Sequence, residues 1–264
     1  MKNVIITGAY GGMGYATAKM LARGGYTVFA LDKTVKEAEP NIIPVETDVS
    51  DAESVRRAFE FIKSRVNEVY AIIHFAGIYR LDSLVEMSED RFTGIFDVNI
   101  FGAYRINKTF LPLLKKGSRV VLTTSELAPL DPLPFTGIYA ITKSALEKYA
   151  FSLGMELGLL GIDVSVIRPG AVDTGLLSVS KKELDSFCGN TRVYSYNAER
   201  FRKIVDGAES KSVPPERIAK AAARALKSRR PKTVYNVNRN PLLRLLNILP
   251  KRVQRAIVGG ILKK

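Results

Sequence analysis

The chain contains no tryptophan, a single cysteine and a single histidine in 264 residues. The lone Cys188 cannot close an internal disulfide, so the fold must rest on its apolar core, and cysteine usage points to a reducing, cytoplasmic setting. No metal site is assigned. Internal repeats and low-complexity segments are absent, and no signal peptide is expected, because residue 3 already begins a strand. Acidic residues are scarce where the cations collect. Residues 1–197 hold 22 Lys and Arg against 22 Asp and Glu, whereas residues 198–264 hold 18 against 4, so the whole excess of +14 lies at the C-terminal end.

Within residues 241–264 there are six cations and no acid, interleaved with Leu242, Leu243, Leu245, Leu246, Ile248, Leu249, Val253, Ile257, Val258, Ile261 and Leu262. Pro250 divides the stretch, and neither half is long enough to cross a bilayer. A basic, apolar, helix-prone tail can lie in a membrane interface, cover an apolar substrate pocket or be buried between subunits, and all three readings stand. Nucleic acid is not expected as a partner, since the tail has no aromatic residue on which bases could stack.

What is present has the alternation of a layered α/β protein. Runs rich in Val and Ile recur near residues 3–7, 26–32, 42–47, 70–76, 119–124, 163–168 and 233–237 with helical stretches between them. The expected fold is a single Rossmann-type, doubly wound parallel sheet of about seven strands with helices on both faces. It spans residues 1–240, and residues 241–264 form the tail.

Two segments carry chemistry. The first strand runs into Gly8-Ala-Tyr-Gly-Gly12-Met13-Gly14 and then a helical pattern. A glycine turn between a buried strand and a helix N-terminus lets backbone N–H groups approach a pyrophosphate while the helix dipole favours its charge. The second strand ends on Asp32, roughly where a dinucleotide fold places its ribose-binding acid. That carboxylate would accept bonds from the ribose hydroxyls and repel a 2′-phosphate, favouring NAD; Lys33 follows it and could partly accommodate the phosphate of NADP. Further on, Tyr139 and Lys143 are four residues apart, on one face of a helix, so that the cation is expected to favour phenolate and lower the tyrosine pKa.

Taken together, these segments resemble the short-chain dehydrogenase/reductase family over residues 1 to about 237. Thr7-Gly-Ala-Tyr-Gly-Gly12-Met-Gly14 is similar to its Thr-Gly-x-x-x-Gly-x-Gly, Asp48-Val49 to its adenine-contacting pair, and Ala76-Gly77 to its close of the fourth strand. Asn99, Ser125, Tyr139 and Lys143 follow in the family's order, and Pro169-Gly170 with Thr174 resembles its Pro-Gly-x-x-x-Thr segment beside the nicotinamide. Two departures stand out. His74-Phe75 replaces the usual Asn-Asn, so the bonds those amides make must be supplied otherwise or omitted; His74 is read as structural, with a substrate or cofactor contact as the alternative. Ser125 and Tyr139 are separated by fourteen, one more than is commonest.

The resemblance implies an oxidoreductase that interconverts a secondary alcohol and a ketone. Tyr139 would be the general acid/base. Lys143 would lower its pKa and bind the nicotinamide ribose, Ser125 would orient the substrate oxygen, and Asn99 would hold a water linking Lys143 to solvent. The cofactor set would be Gly8, Gly12, Met13, Gly14, Asp32, Asp48, Val49, Ala76, Gly77, Tyr139, Lys143, Pro169, Gly170 and Thr174. Residues 175–212 would form the substrate loop, and Leu176, Leu177, Phe187, Tyr194, Tyr196 and Phe201 suit an apolar, steroid- or lipid-like substrate. An NADP-dependent carbonyl reductase and a non-catalytic dinucleotide sensor are the alternatives. A homodimer or homotetramer through long helices near 87–116 and 137–160 is implied as well.

Overall fold

A computed structural model describes residues 1–208 and 212–263. Residues 209–211 of the expected substrate segment, and Lys264 of the tail, lie outside the described residues. All seven expected strands form: β1 (Lys2–Thr7), β2 (Tyr26–Asp32), β3 (Ile42–Glu46), β4 (Val69–His74), β5 (Leu114–Thr123), β6 (Asp163–Pro169) and β7 (Val234–Val237). They pair in one parallel sheet, order β3-β2-β1-β4-β5-β6-β7. The reversal of winding between β1 and β4 leaves a crevice at their C-terminal ends.

The strands are β-branched and apolar on both faces because both faces are covered. Along β1, Val4 and Ile6 enter the layer shared with α1 (Gly12–Arg23) and the later helix Glu216–Lys227. Ile5 enters the opposite layer with Ile72, Val120, Ile106 and Phe110. Side chains from α2 (Ala52–Lys63), α4 (Gly102–Phe110) and α5 (Gly137–Gly158) complete that second layer. The acidic N-cap Asp51 accepts from the Glu53 N–H and starts α2.

The long helix expected near 87–116 is broken. It begins as α3 (Glu89–Phe96), passes through a π-helical turn at Asp97–Phe101 and ends with α4 at Phe110. Pro112 explains the stop: it has no N–H to donate and disfavours a helical residue before it. The chain then makes one short turn, Leu111–Leu113, and β5 begins at Leu114, five residues before the apolar run at 119. The expected substrate loop is likewise two helices, α6 (Gly175–Asn190) and α7 (Ser195–Ala208). Phe187 and Phe201 are buried against Phe135, with ring centroids 4.5 and 5.3 Å away, so these two aromatics build a core of their own and do not line an open loop.

After α8 (Glu216–Lys227) and β7, the tail folds as α9 (Pro241–Ile248) and α10 (Lys251–Leu262), parted at Pro250. It is tied to the body. Asn247 accepts from the Asp131 N–H at 2.6 Å, Lys251 pairs with Asp131, Asn197 donates to the Leu262 carbonyl at 2.7 Å, and Leu262 is buried.

His74 is buried and acts as a brace between elements. Its Nε2 lies 2.9 Å from Asn107 Oδ1, and Asn107 Nδ2 donates to the Tyr149 hydroxyl at 3.1 Å, so β4, α4 and α5 are joined through one buried chain. Burial pushes His74 down to about 4, against its bond with Asn107. The unfolded chain therefore takes up a proton between about pH 6.5 and 4 that the folded chain refuses, and this group costs stability as pH falls through that window. With His74→Asn, denaturant titrations from pH 7.5 to 4.5 should show the variant losing less stability than the wild type, by up to about 1.4 kcal/mol per pH unit; parallel curves would refute the assignment.

Candidate active site

The crevice between β1 and β4 is closed by backbone. Gly8, at the end of β1, has φ +64°, and a Cβ there would stand 2.5 Å from the Ala76 nitrogen. Only glycine fits both the left-handed conformation and the approach. A Cβ on Gly14 would come within 2.1 Å of the Gly8 carbonyl, and one on Gly12 within 2.6 Å of the Thr174 side chain, so the turn is folded tightly at the start of α1. Met13 packs half-buried on the α1 side of the sheet. Asp32, at the end of β2, accepts from the Tyr10 N–H of this turn at 2.8 Å. A tight glycine cradle at a helix N-terminus with a carboxylate beside it fits the diphosphate and ribose of a dinucleotide.

Lys33 is engaged elsewhere. Its ammonium lies 2.8 Å from Asp48, whose other oxygen accepts from the Ser50 N–H and hydroxyl at 2.9 and 2.6 Å. Burial opposes ionisation of Asp48, but the bonds from Lys33 and Ser50 prevail and hold it below the usual carboxylate range. Val49 is buried against Gly102, which anchors this corner.

A second group gathers around α5. Asn99 sits in the π-helical turn, a local irregularity often found at functional sites. Its side chain accepts from Ile78 N–H at 2.8 Å and donates to the Ile78 carbonyl and to Thr142 at 3.0 and 3.1 Å. Gly77 stands between, where a Cβ would meet Asn99 Oδ1 at 3.2 Å and Lys143 Nζ at 3.4 Å. Lys143 donates to the Thr123 carbonyl at 3.1 Å, and its Nζ is 5.7 Å from the Tyr139 ring centroid. Ser125 hydrogen-bonds the Tyr139 phenol. On the far side, Glu126 accepts from the Asn240 N–H at 2.5 Å and its own N–H donates to the Pro169 carbonyl at 2.8 Å, while Gly170 is pressed against Asn238. Thr174 caps α6.

The electrostatics differ from the expectation that Lys143 lowers the tyrosine pKa. Burial, helped by the nearby Tyr79 phenol, raises Tyr139 above its ordinary value against the Ser125 bond, and burial pushes Lys143 down to about 8. The pocket is dry enough to disfavour both charges, and the cation does not overcome it. Two participants were not foreseen. Tyr79 packs its ring 4.8 Å from that of Tyr139, and Thr142 orients Asn99. Their proximity in sequence to Gly77 and Lys143 was the available signal.

A cavity of about 700 Å³ opens near the start of α5, lined by Leu133, Phe135, Gly137, Ile141, Val258 and Leu262 among others. At 100° per residue, Gly137 and Ile141 lie on the face of α5 opposite Tyr139, so this cavity is not the space in front of the phenol.

A parallel sheet with a glycine-lined crevice at its switch point, and an Asn, Ser, Tyr and Lys group beside it, defines a class of dinucleotide-dependent dehydrogenases. The chain belongs to the short chain dehydrogenase family, whose model matches residues 2–185, and it is an NAD(P)-dependent oxidoreductase acting on CH–OH groups. It is 26% identical over 244 residues to a 3-ketodihydrosphingosine reductase of Bacteroides thetaiotaomicron, covering 92% of this chain and 89% of that one. It is 31% identical over 268 residues to the oxidoreductase YbbO of Escherichia coli, covering 98% and 94%. A solved short chain dehydrogenase family protein from Francisella tularensis shares the fold with a TM-score of 0.76 at 21% identity, covering 90% of this chain and 97% of that chain.

The buried ammonium has a measurable signature. Lys143 titrates at about 8 in the folded chain against 10.5 ordinarily, so between these values the unfolded chain holds a proton the folded one has released, and stability from this group rises with pH across the window. Lys143→Met removes that gain. Denaturation between pH 7.5 and 10.5 should show the wild type improving relative to the variant as pH rises; a constant difference would mean that Lys143 keeps an ordinary pKa.

Proposed function

We propose that the chain interconverts a secondary alcohol and a ketone on an apolar, lipid-like substrate, with NAD(H) as its preferred cofactor. The observation that carries the reading is the convergence of Asn99, Ser125, Tyr139 and Lys143 beside the glycine crevice. A nicotinamide dinucleotide held in the glycine crevice would supply the hydride chemistry. Every other task falls to the protein. In reduction Tyr139 starts as a protonated phenol and gives its proton to the carbonyl oxygen; in oxidation it must first have released that proton, and as the phenolate it takes the hydroxyl proton, a contribution of about 10²–10⁴ in rate. Ser125 orients the same oxygen by hydrogen bonding. Lys143 holds the nicotinamide ribose, and Asn99 keeps a water in reach of Lys143 for proton return.

Asp32 supports NAD(H): its carboxylate lies beside the glycine turn, where it would repel a 2′-phosphate, and Asp48 engages the adjacent cation of Lys33. The substrate class is supported by the apolar side chains Ile78, Met87 and Leu127 around Tyr139, and by the likeness to the sphingoid ketone reductase. Titration with NADH and NADPH, followed by nicotinamide fluorescence, tests the first part. Preference for NADH by about tenfold or more, with Tyr139→Phe binding NADH normally but turning over about 10²–10⁴-fold more slowly, is the expected result. Preference for NADPH would establish the carbonyl-reductase alternative, and full activity of Tyr139→Phe would remove Tyr139 from the reaction.

We also assign the assembly face to the central helices. Phe101, Tyr104, Phe151 and Met155 are 45–61% exposed on and around α4 and α5, an apolar surface suited to a second copy of the chain. Phe151→Glu combined with Met155→Glu should convert an oligomer to a monomer in analytical ultracentrifugation; an unchanged mass would place the contact elsewhere.

A further inference from the structure

The tail helices present apolar side chains on both of their faces. In α10 the inner face, Gln254, Val258 and Leu262, packs on the body and roofs the 700 Å³ cavity. The outer face carries Val253, Ala256, Ile257, Gly260 and Ile261, which recur at helical spacing and are all exposed, the three large ones at 41, 39 and 50%. In α9, Leu242, Leu245 and Ile248 repeat every third residue and are 73, 61 and 79% exposed. Two consecutive helices thus leave apolar stripes in solvent that nothing within the described chain covers.

The charges beside these stripes are all of one sign. Arg252, Arg255 and Lys263 fall on one flank of the α10 stripe at 100° per residue, and the exposed Arg244 flanks the α9 stripe next to Ile248. Among the described residues Arg244, Arg252 and Arg255 form no ion pair, and Lys251 alone of the tail's cations pairs with an acid, Asp131. A protein partner of ordinary composition would leave such cations to be matched one by one. An anionic lipid surface meets them all at once, with headgroups for the guanidinium groups and acyl chains for the leucine and isoleucine side chains. Among the described residues no helix is long and apolar enough to cross a membrane, so contact by this route is confined to the interface.

We propose that α9 and α10 dock the folded protein onto the surface of a bilayer containing anionic lipid. The two helices lie in the interfacial plane with Leu242, Leu245, Ile248, Val253, Ile257 and Ile261 entering the acyl boundary. The body, already fastened to the tail through Asp131, Asn197 and Leu262, is held against the surface without a hinge. This inference is independent of the reaction assigned above.

The test is sedimentation of the full chain with vesicles of phosphatidylcholine alone or with about one third phosphatidylserine. Truncation is unsuitable, because Leu262 and Val258 belong to the packed body; exposed residues are changed instead, with thermal melts to confirm folding. The expected result is binding to the anionic vesicles that weakens with salt and is much lower on phosphatidylcholine. Each lost cation should lower the partition coefficient about five-fold, so Arg244→Gln, Arg252→Gln and Arg255→Gln together should lower it about a hundredfold. The combination Leu245→Ser, Ile248→Ser and Ile257→Ser should release the protein while leaving NADH binding unchanged. Equal recovery in the supernatant with both vesicle types would overturn the proposal. So would a wild-type oligomer that these serine substitutions dissociate, since the stripes would then be covered by a second copy.

Discussion

The approach of Gly8 to Ala76 is the constraint on which the rest of the architecture turns. β1 and β4 are neighbours in the sheet, and the chain leaves their C-terminal ends in opposite directions; a crevice exists there only if the two backbones can pass in near contact. A side chain at residue 8 would collide with the Ala76 backbone, and the left-handed φ of that residue would strain any other amino acid. Once the turn is in place, α1 starts with its N–H groups aimed at the crevice, Asp32 bonds back to Tyr10, and Gly77 follows Ala76 into contact with Asn99 and Lys143. The glycine turn and the group of Asn99, Ser125, Tyr139 and Lys143 are thereby two sides of one close contact between strands.

Burial dominates the electrostatics of that second side. The same lack of water raises Tyr139 and lowers Lys143, so the pair sits closer to neutrality than two exposed groups at this spacing would. His74 follows the same rule: it is kept neutral by burial and used as a hydrogen-bonding brace. The sole histidine of the chain thus joins three elements of the fold.

The tail shows how one segment can serve two environments. Its inner face adds Val258 and Leu262 to the cluster that contains Phe135, Phe187 and Phe201, which fastens it to the aromatic side chains of the expected substrate segment. Its outer face stays apolar and cationic. Amphipathic helices usually pair one apolar face with one polar face; here the body takes one apolar stripe and leaves another, with Arg252, Arg255 and Lys263 between them on the remaining arc.

Local rules of spacing and composition determined much of this protein. The seven strands were legible because buried parallel strands need unbroken Val and Ile runs, and the glycine turn because a left-handed, crowded backbone admits no other residue. Tyr139 and Lys143 were legible as a pair because four residues make one helical turn. Other features depended on contacts between distant segments. The π-helical turn at Asn99, whose side chain bonds Ile78 and Thr142, interrupted a pattern that reads as one long helix, whereas the halt at Pro112 was written locally in the sequence. Which aromatics of residues 175–208 are buried was decided by Phe135, forty residues earlier in the chain. The pKa directions of Tyr139 and Lys143, the bond from His74 to Asn107 and the choice of which tail face is inward required the packed interior. Burial and partner identity are properties of atoms brought together from across the chain, and a linear pattern carries no record of them.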